Sequence, residues 1–340
     1  MKLSHRRQTI RPRYVFATSQ GGVAEKQTIV VEIEHDGVVG LGEVAGSTLY
    51  GQTLDTSEAA LAKMAGLLGD DPFAIEPIVT RCIAACDAQR AAIAAVDSAL
   101  HDWVGKRLGV PLHRLLGVAE PRVQTTFTIG VADEDETRRK VDEALAEGYT
   151  ALKVKIGVES DHRTLRAIRR AFNGPLLLDA NAAWHPYEAA EKVRSLAEYR
   201  PSMIEQPLGT ADWRHMAELR NLGVAPIFAD ESCERPADVI RLHGFVDGVN
   251  VKFTKCGGIR EALRMFTLAR GLGMQLMIGC FVSSSLAIAP ALAIAGACDF
   301  ADLDGALLLA DDPFEGIACE RGGVLRPGPG AGLGLREKRR

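Results

Sequence analysis

The sequence predicts an α/β protein: a modified, TIM-like (β/α)8-type barrel behind an N-terminal α+β capping domain. Three observations carry that prediction. Short β-branched or Leu-rich runs recur between residues 124 and 304, with longer helical spacings between them. The runs end on Thr128, Lys155, Asp179, Glu205, Asp230, Lys252, Gly279 and Asp302, at intervals of 22 to 27 residues, which is the length of one βα step. The first hundred residues follow a different pattern, an alternating hairpin and then helical periodicity.

Composition bounds the rest. A chain of 340 residues, 47% hydrophobic and 25% charged, with 34 glycines and 15 prolines dispersed along it, is neither disordered nor fibrous. The net charge of −4 leaves no basic excess for a polyanion, so nucleic acid is not an expected partner. No apolar run reaches the roughly 18 residues of a membrane span, and no apolar segment follows Arg6, Arg7, Arg11 and Arg13, so no membrane association is expected. The protein reads as cytoplasmic. Its seven cysteines are scattered without a CxxC pair and read as reduced, buried thiols, with Cys82 and Cys86 one helical turn apart in the core.

Taken in order, residues 27–45 alternate about Asp36-Gly37, a dipeptide suited to a type I′ turn, and predict an antiparallel hairpin. From Ser57 to Leu108 the spacing is helical, through Leu61, Met64, Leu67 and Leu68 and then the Ala-rich run Ala91–Trp103. After Pro121 come eight strand candidates, each too short for a helix: 124–129, 151–156, 176–179, 203–205, 226–229, 248–252, 275–278 and 300–304. The Gly-rich end, with Arg326-Pro327-Gly328-Pro329-Gly330, reads as a segment returning to the first domain. The expected division is 1–118 for the cap, 119–320 for the barrel and 321–340 for the returning segment.

Parallel strands of a closed barrel bring their C-terminal ends to one mouth. Asp179, Glu205 and Asp230 end three successive strands, about 5 Å apart in a barrel, and an all-oxygen set of this kind suits Mg²⁺, with Mn²⁺ an alternative. A single such acid is as readily a helix cap, but three at one phase point to a cation. Lys153 and Lys155 are two apart and share a strand face, the barrel interior if Val154 packs outward. Lys252 ends the sixth strand, roughly opposite the second. A divalent cation and a second ammonium would lower a lysine's pKa toward that of a working base. Two lysines approaching a substrate from opposite faces suit 1,1-proton transfer, with removal of an α-hydrogen on one side and return on the other. Asp302 and Asp304 flank Leu303 and are expected on one face, inviting a substrate ammonium; helix capping or a salt bridge to a lysine is the alternative. Lys255, past the strand end near Gly257-Gly258, reads as a solvated or structural charge.

Together, Lys153-Val154-Lys155, Asp179-Ala180-Asn181, Glu205-Gln206-Pro207, Asp230-Glu231-Ser232 and Asn250-Val251-Lys252 resemble the enolase superfamily, and within it the muconate-lactonizing subgroup with paired lysines. The likeness spans essentially the whole chain, since Gly40-Leu41-Gly42-Glu43 and Tyr50-Gly51 look like that group's capping domain. Asp302-Leu303-Asp304-Gly305 with Gly279-Cys280 resembles the dipeptide epimerases, the group of the L-Ala-D/L-Glu epimerases. The resemblance implies Lys155 and Lys252 as acid/base catalysts, Asp179, Glu205 and Asp230 as Mg²⁺ ligands, and Asp302 and Asp304 as a clamp on a dipeptide's α-ammonium. It implies Thr128 and Lys153 beside the substrate, Lys153 and Glu231 orienting the catalytic lysine and the metal site, and Asn181 supporting them. Relatives are often symmetric oligomers, so a homo-oligomer is implied as well.

The departures bear on the substrate. Relatives that take an acidic second residue tend to carry an arginine in the mobile cap loop, whereas Phe16–Glu25 has no basic residue and Lys26 is the nearest charge. The glutamate many relatives carry near Ser283-Ser284-Ser285 is absent. A neutral or hydrophobic second residue is therefore at least as well supported as glutamate, and Gln20-Gly21-Gly22-Val23 is expected to be mobile. The leading expectation is inversion at the second residue of L-Ala-L-Xaa type dipeptides. The rivals are o-succinylbenzoate synthase or N-succinylamino acid racemase, and muconate-type cycloisomerisation; Asp302 and Asp304 would repel the acid groups of those substrates.

Overall fold

A computed structural model describes residues 1–13, 16–18, 21–23 and 25–338, with the backbone alone for 16–18 and 21–23. Gln20, expected to be mobile, lies outside the described residues; Gly21-Gly22-Val23 forms a strand.

The N-terminal part opens with β1 (Lys2–Ile10), a small hairpin of β2 (Phe16–Thr18) and β3 (Gly21–Val23), and then β4 (Lys26–His35) and β5 (Val38–Val44). These give an antiparallel sheet in the order β1-β4-β5. Asp36 and Gly37 have φ of 49° and 73°, as a type I′ turn demands. Three helices follow: α1 (Leu54–Ala65), α2 (Ile75–Cys86) and α3 (Arg90–Leu108). Ile29, Val31 and Ile33 of β4 pack toward these helices, whereas Val30 joins the barrel-side core. The glycines of β5 have a specific cause: a Cβ on Gly40 or Gly42 would stand 2.0 Å from the carbonyl oxygen of Ala99 or Ala95. Strand β5 lies directly on the Ala-rich face of α3, and only hydrogen fits between the backbones.

After α4 (Leu112–Leu115) and β6 (Val123–Gln124) comes an eight-stranded parallel sheet: β7 (Phe127–Ile129), β8 (Leu152–Lys155), β9 (Leu176–Asp179), β10 (Met203–Glu205), β11 (Ile227–Ala229), β12 (Gly248–Val251), β13 (Gln275–Gly279) and β14 (Phe300–Asp302). The strands pair in chain order, and Thr126 N donates to Ala301 O (3.2 Å) to close the first against the last. The intervening helices are α5 (Glu134–Glu147), α6 (Asp161–Ala171), α7 (Pro186–Leu196), α8 (Met216–Asn221), α9 (Pro236–Leu242), α10 (Phe253–Cys256), α11 (Ile259–Gly271) and α12 (Ser285–Ile294). The eight-unit expectation needs one correction: β14 is followed by a 3-10 turn, Asp304–Ala306, and no α-helix.

Inward-facing residues form two layers, one apolar and one charged. Leu177, Met203, Phe228 and Met277 form a buried plug, and two residues further along their strands stand Asp179, Glu205, Asp230 and Gly279. Gly248 leaves room for the plug, since a Cβ there would meet the Phe228 ring at 2.4 Å. The outward layer, with Val154, Leu178, Ile204, Ala229 and Val251, packs under the helices.

The run 124–129 does not form one strand. Val123–Gln124 pairs instead with β17 (Val324–Arg326), which also pairs with β16 (Ala318–Glu320); β15 (Phe314–Glu315) pairs with β18 (Arg336–Glu337). The last segment meets the first part of the chain where Leu333 N donates to Asp102 Oδ1 (2.8 Å) and Gly332 N to Val110 O (2.9 Å). All seven cysteines are free, but they are not uniformly buried: Cys82, Cys233 and Cys256 are buried, whereas Cys319 is exposed. Among the described residues no helix is long and apolar enough to cross a membrane.

Candidate active site

Strand register places the charged residues side by side. Lys155 pairs with Asp179 and Asp179 with Glu205, so three neighbouring strands carry a lysine and two carboxylates in one row. Asp230 continues it one residue past β11, and Lys252 follows β12. The strand-to-loop turns here are strained: Asn181, Ala182 and Gln206 have φ of 45°, 61° and 38° without being glycine. The turn at Gln206 has a visible use. Its Oε1 accepts from Asp230 N (2.9 Å) and Ser232 N (3.1 Å), fixing the loop that carries Asp230.

Every predicted ammonium and carboxylate is buried, and they interlock. Lys153 Nζ lies 2.7 Å from Asp302 Oδ2, 2.8 Å from Glu205 Oε2 and 3.0 Å from Asp179 Oδ2. Lys155 Nζ donates to Asp179 Oδ2 (2.6 Å), and Lys252 Nζ to Asp230 Oδ2 (2.6 Å). Lys153 and Lys155 do face inward while Val154 packs outward, as strand alternation requires. Asn181 Nδ2 donates to Glu231 Oε1 (3.2 Å), and Asn250 Nδ2 to Glu205 Oε1 (2.6 Å).

Asp302 and Asp304 come together, although not by strand alternation. The strand stops at Asp302, Leu303 has ψ of 29°, and Asp304 begins the 3-10 turn. Thr128 joins them: its N donates to Asp304 Oδ2 (3.0 Å) and its Oγ1 to Asp302 Oδ1 (3.3 Å). Asp302 is already held by Lys153 and by Thr126 Oγ1 (2.9 Å), so the salt bridge considered as an alternative is present. Asp304 makes no ion pair among the described residues and is the carboxylate more open to an incoming cation.

Lys255 is not the solvated charge expected. It is fully buried, and its Nζ lies 2.5 Å from Asp230 Oδ1, donates to the Asp230 carbonyl, and reaches Asn250 O at 3.2 Å. Sequence reasoning missed it because it lies four residues past the end of β12; α10 turns it back beneath the acid loop. Gln206 and Asn250 were visible only as parts of motifs, with no role attached.

Electrostatics separate the acids into two kinds. Burial opposes ionisation at all of them, but Lys155 and Lys153 hold Asp179, and Lys252 and Lys255 hold Asp230, below the usual carboxylate range. Glu205 is pushed up to about 7 by burial and Asp179, Glu231 to about 7 by burial and Asp230, and Asp304 to about 7 by burial and Asp302. Among the protein's own groups, burial works against the Lys252 charge, yet Asp230 outweighs it and holds that ammonium above its ordinary range.

Among the described residues no three acidic, histidine or cysteine side chains surround a common point closely enough to hold a metal as they stand, because the carboxylate oxygens turn to the ammoniums. The donor chemistry nonetheless fits a hard divalent cation. The donors are all oxygen, the carboxylates outnumber the ammoniums, and Asp179, Glu205 and Asp230 stand in one buried row.

Above this charged floor is a cavity of about 660 Å³. Thr128, Lys153, Lys155, Asp230, Lys252, Asp302 and Asp304 line it from the barrel, and Lys26, Leu49, Tyr50 and Leu54 from the cap. Asp179 and Glu205 lie beneath it, covered by the lysines. Phe281 connects the two parts: its ring centroid is 5.0 Å from Lys252 Nζ and 5.5 Å from Lys26 Nζ.

This arrangement has known counterparts. Residues 2–117 match the mandelate racemase / muconate lactonizing enzyme N-terminal domain, and residues 136–339 the enolase C-terminal domain-like family. The chain belongs to the mandelate racemase / muconate lactonizing enzyme family. It is 37% identical over 336 residues to an L-Ala-D/L-Glu epimerase of Bacteroides thetaiotaomicron, covering 98% of this chain and 88% of that one. It is 35% identical to a hydrophobic dipeptide epimerase of Roseobacter litoralis, over 98% and 99% of the two chains. Among solved structures, a dipeptide epimerase from Enterococcus faecalis, complexed with Mg and the dipeptide L-Leu-L-Tyr, superposes with a TM-score of 0.94 at 32% identity, covering 99% of each chain. The mandelate racemase / muconate lactonizing fold of this chain is thus shared along its whole length with enzymes named as epimerases.

Proposed function

We propose that the protein is a Mg²⁺-dependent dipeptide epimerase that inverts the α-carbon of the second residue of L-Ala-L-Xaa type dipeptides. The observation that carries this reading is one cavity lined by Lys155, Lys252 and the Asp302–Asp304 pair together. Relatives named as dipeptide epimerases, full in length, support it. In this reading residues 1–118 serve as cap, 119–320 as catalytic barrel and 321–340 as the returning segment, in a cytoplasmic enzyme.

Asp304, with Asp302 and Thr128 behind it, receives the α-ammonium and orients the peptide. Lys155 and Lys252 reach the α-carbon from opposite sides; one, neutral at the moment of transfer, takes the proton, and the other gives one back. Lys153 stays buried between Asp302 and the acid row, contributing positive charge to the substrate side and bridging the carboxylates. Asp179, Glu205 and Asp230 would hold Mg²⁺, with Mn²⁺ a chemically suitable substitute, and the cation supplies charge that stabilises the enediolate-like electron distribution of the deprotonated substrate. Leu49, Leu54 and Val282 line the same cavity and support a neutral or apolar second side chain, while Lys26, which donates to Val282 O (3.1 Å), is among the described residues the one cap ammonium there that would favour an acidic one.

The test is proton exchange. The protein with Mg²⁺ is incubated in D₂O with a library of L-Ala-L-Xaa dipeptides, and mass gain and inversion at the second α-carbon are followed. Exchange and inversion with apolar members are expected. Absence of exchange with every dipeptide, alongside turnover of a succinylbenzoate precursor, would replace this reading with that of an o-succinylbenzoate synthase.

A further inference from the structure

Lys255 is a buried ammonium for which the proton transfer has no use. It faces away from the cavity floor, outside the set of residues that line it, and spends its donors on Asp230 Oδ1 (2.5 Å), the Asp230 carbonyl and Asn250 O (3.2 Å). Asp230 is thereby gripped at both oxygens, Oδ1 by Lys255 and Oδ2 by Lys252 (2.6 Å). The two grips differ in kind. Lys252 lines the cavity and in the proposed reading is a reacting group, whereas Lys255 is anchored in the short helix α10 and does not line the cavity. Asn250, which shares Lys255, also donates to Glu205 Oε1 (2.6 Å), so one ammonium supports two of the three acids in the row.

We infer that Lys255 is a positioning residue that fixes the Asp230 carboxylate, and through Asn250 the Glu205 carboxylate, in the orientation that binds the divalent cation. This rests on the reading of those acids as the cation site. The physical content lies in the sign. A fixed positive charge this close repels a divalent cation, so deleting it should tighten Mg²⁺ if charge alone mattered. A residue that orients a ligand does the opposite, and loss of such outer partners typically weakens metal binding about 10- to 100-fold.

The experiment is calorimetric titration of the full-length protein with Mg²⁺, comparing wild type, Lys255→Gln and Lys255→Met, with folding checked by circular dichroism. The expected order of affinity is wild type, then Gln, which retains a donor at shorter reach, then Met, weaker by about 10- to 100-fold. In an Asp230→Asn background, Lys255→Met should produce little further change, as expected for a residue acting through that carboxylate. Either folded variant binding Mg²⁺ as tightly as wild type, or more tightly, overturns the inference while leaving the cation reading intact. A wild-type protein that does not bind Mg²⁺ overturns both.

Discussion

Lys155 and Lys252 differ in what surrounds them, and single substitutions should expose that difference. Each alanine replacement should lower epimerisation by at least the roughly 10²–10⁴-fold contributed by a positioned acid or base. Each should also leave α-proton exchange only on the face of the surviving lysine, which exchange from separate L,L and L,D dipeptides in D₂O measures. Asp304 yields a pH prediction. Its carboxyl is raised to about 7 by burial and Asp302, so it is protonated below that pH and ionised above it. Ammonium binding is therefore present above about 7 and is lost as pH falls through it, while an α-amino group loses its own charge near 8. A dipeptide KM that rises on the acid side, with Asp304→Asn abolishing that limb, is the expected profile. At this scale the sequence was informative wherever a charge ends a strand and silent where it does not. Asp179, Glu205 and Asp230 were legible from their spacing. Lys255 was not, because its burial depends on the turn of α10, which no local pattern encodes.

The barrel strands and β5 make opposite demands on side-chain size. Phe228 fills the plug beneath the charged row with no exposed surface, and Phe228→Ala should cost about 3–5 kcal/mol in urea unfolding, the usual range for a buried aromatic. Gly42 lies against the backbone of α3, so Gly42→Ala should destabilise by pushing β5 off Ala95, and the loss should show as a lower Tm with the barrel charges untouched. A surface glycine such as Gly271, with nothing within 4 Å of an added Cβ, serves as the neutral control. The elements themselves were read nearly as they stand: the strands at 176–179 and 203–205 coincide, and the hairpin turns at Asp36-Gly37. The failures have one cause. Strand propensity at 124–129 and 300–304 does not reveal which sheet a residue joins, nor where a 3-10 turn interrupts it, because both are fixed by distant partners, β17 in one case and Thr128 in the other.

At the scale of the whole molecule, the proposed cation site would couple cation binding to folding. A ligand held by the native barrel alone raises stability by about 2.7 kcal/mol at one hundred times its dissociation constant. Saturating Mg²⁺ should therefore raise Tm and excess chelator return it, and a Tm indifferent to both would count against a divalent site. A pH trend of different origin belongs to Lys26, whose ammonium is lowered to about 8 by burial between cap and barrel. Between about 8 and the ordinary lysine value of 10.5 the unfolded chain holds the proton that the folded one releases, so this group favours folding more as pH rises through that window. Replacing Lys26 with Met should flatten that part of the stability curve.

The cavity has a floor of strand-end charges and a roof of cap side chains, and the two descend from separate stretches of chain. A substitution at Leu49 or Leu54 alters what fits beneath the roof without disturbing a single ion pair below it. In the proposed reading, the groups that move the proton and the side chains that choose the substrate can thus be varied separately, one roof residue at a time.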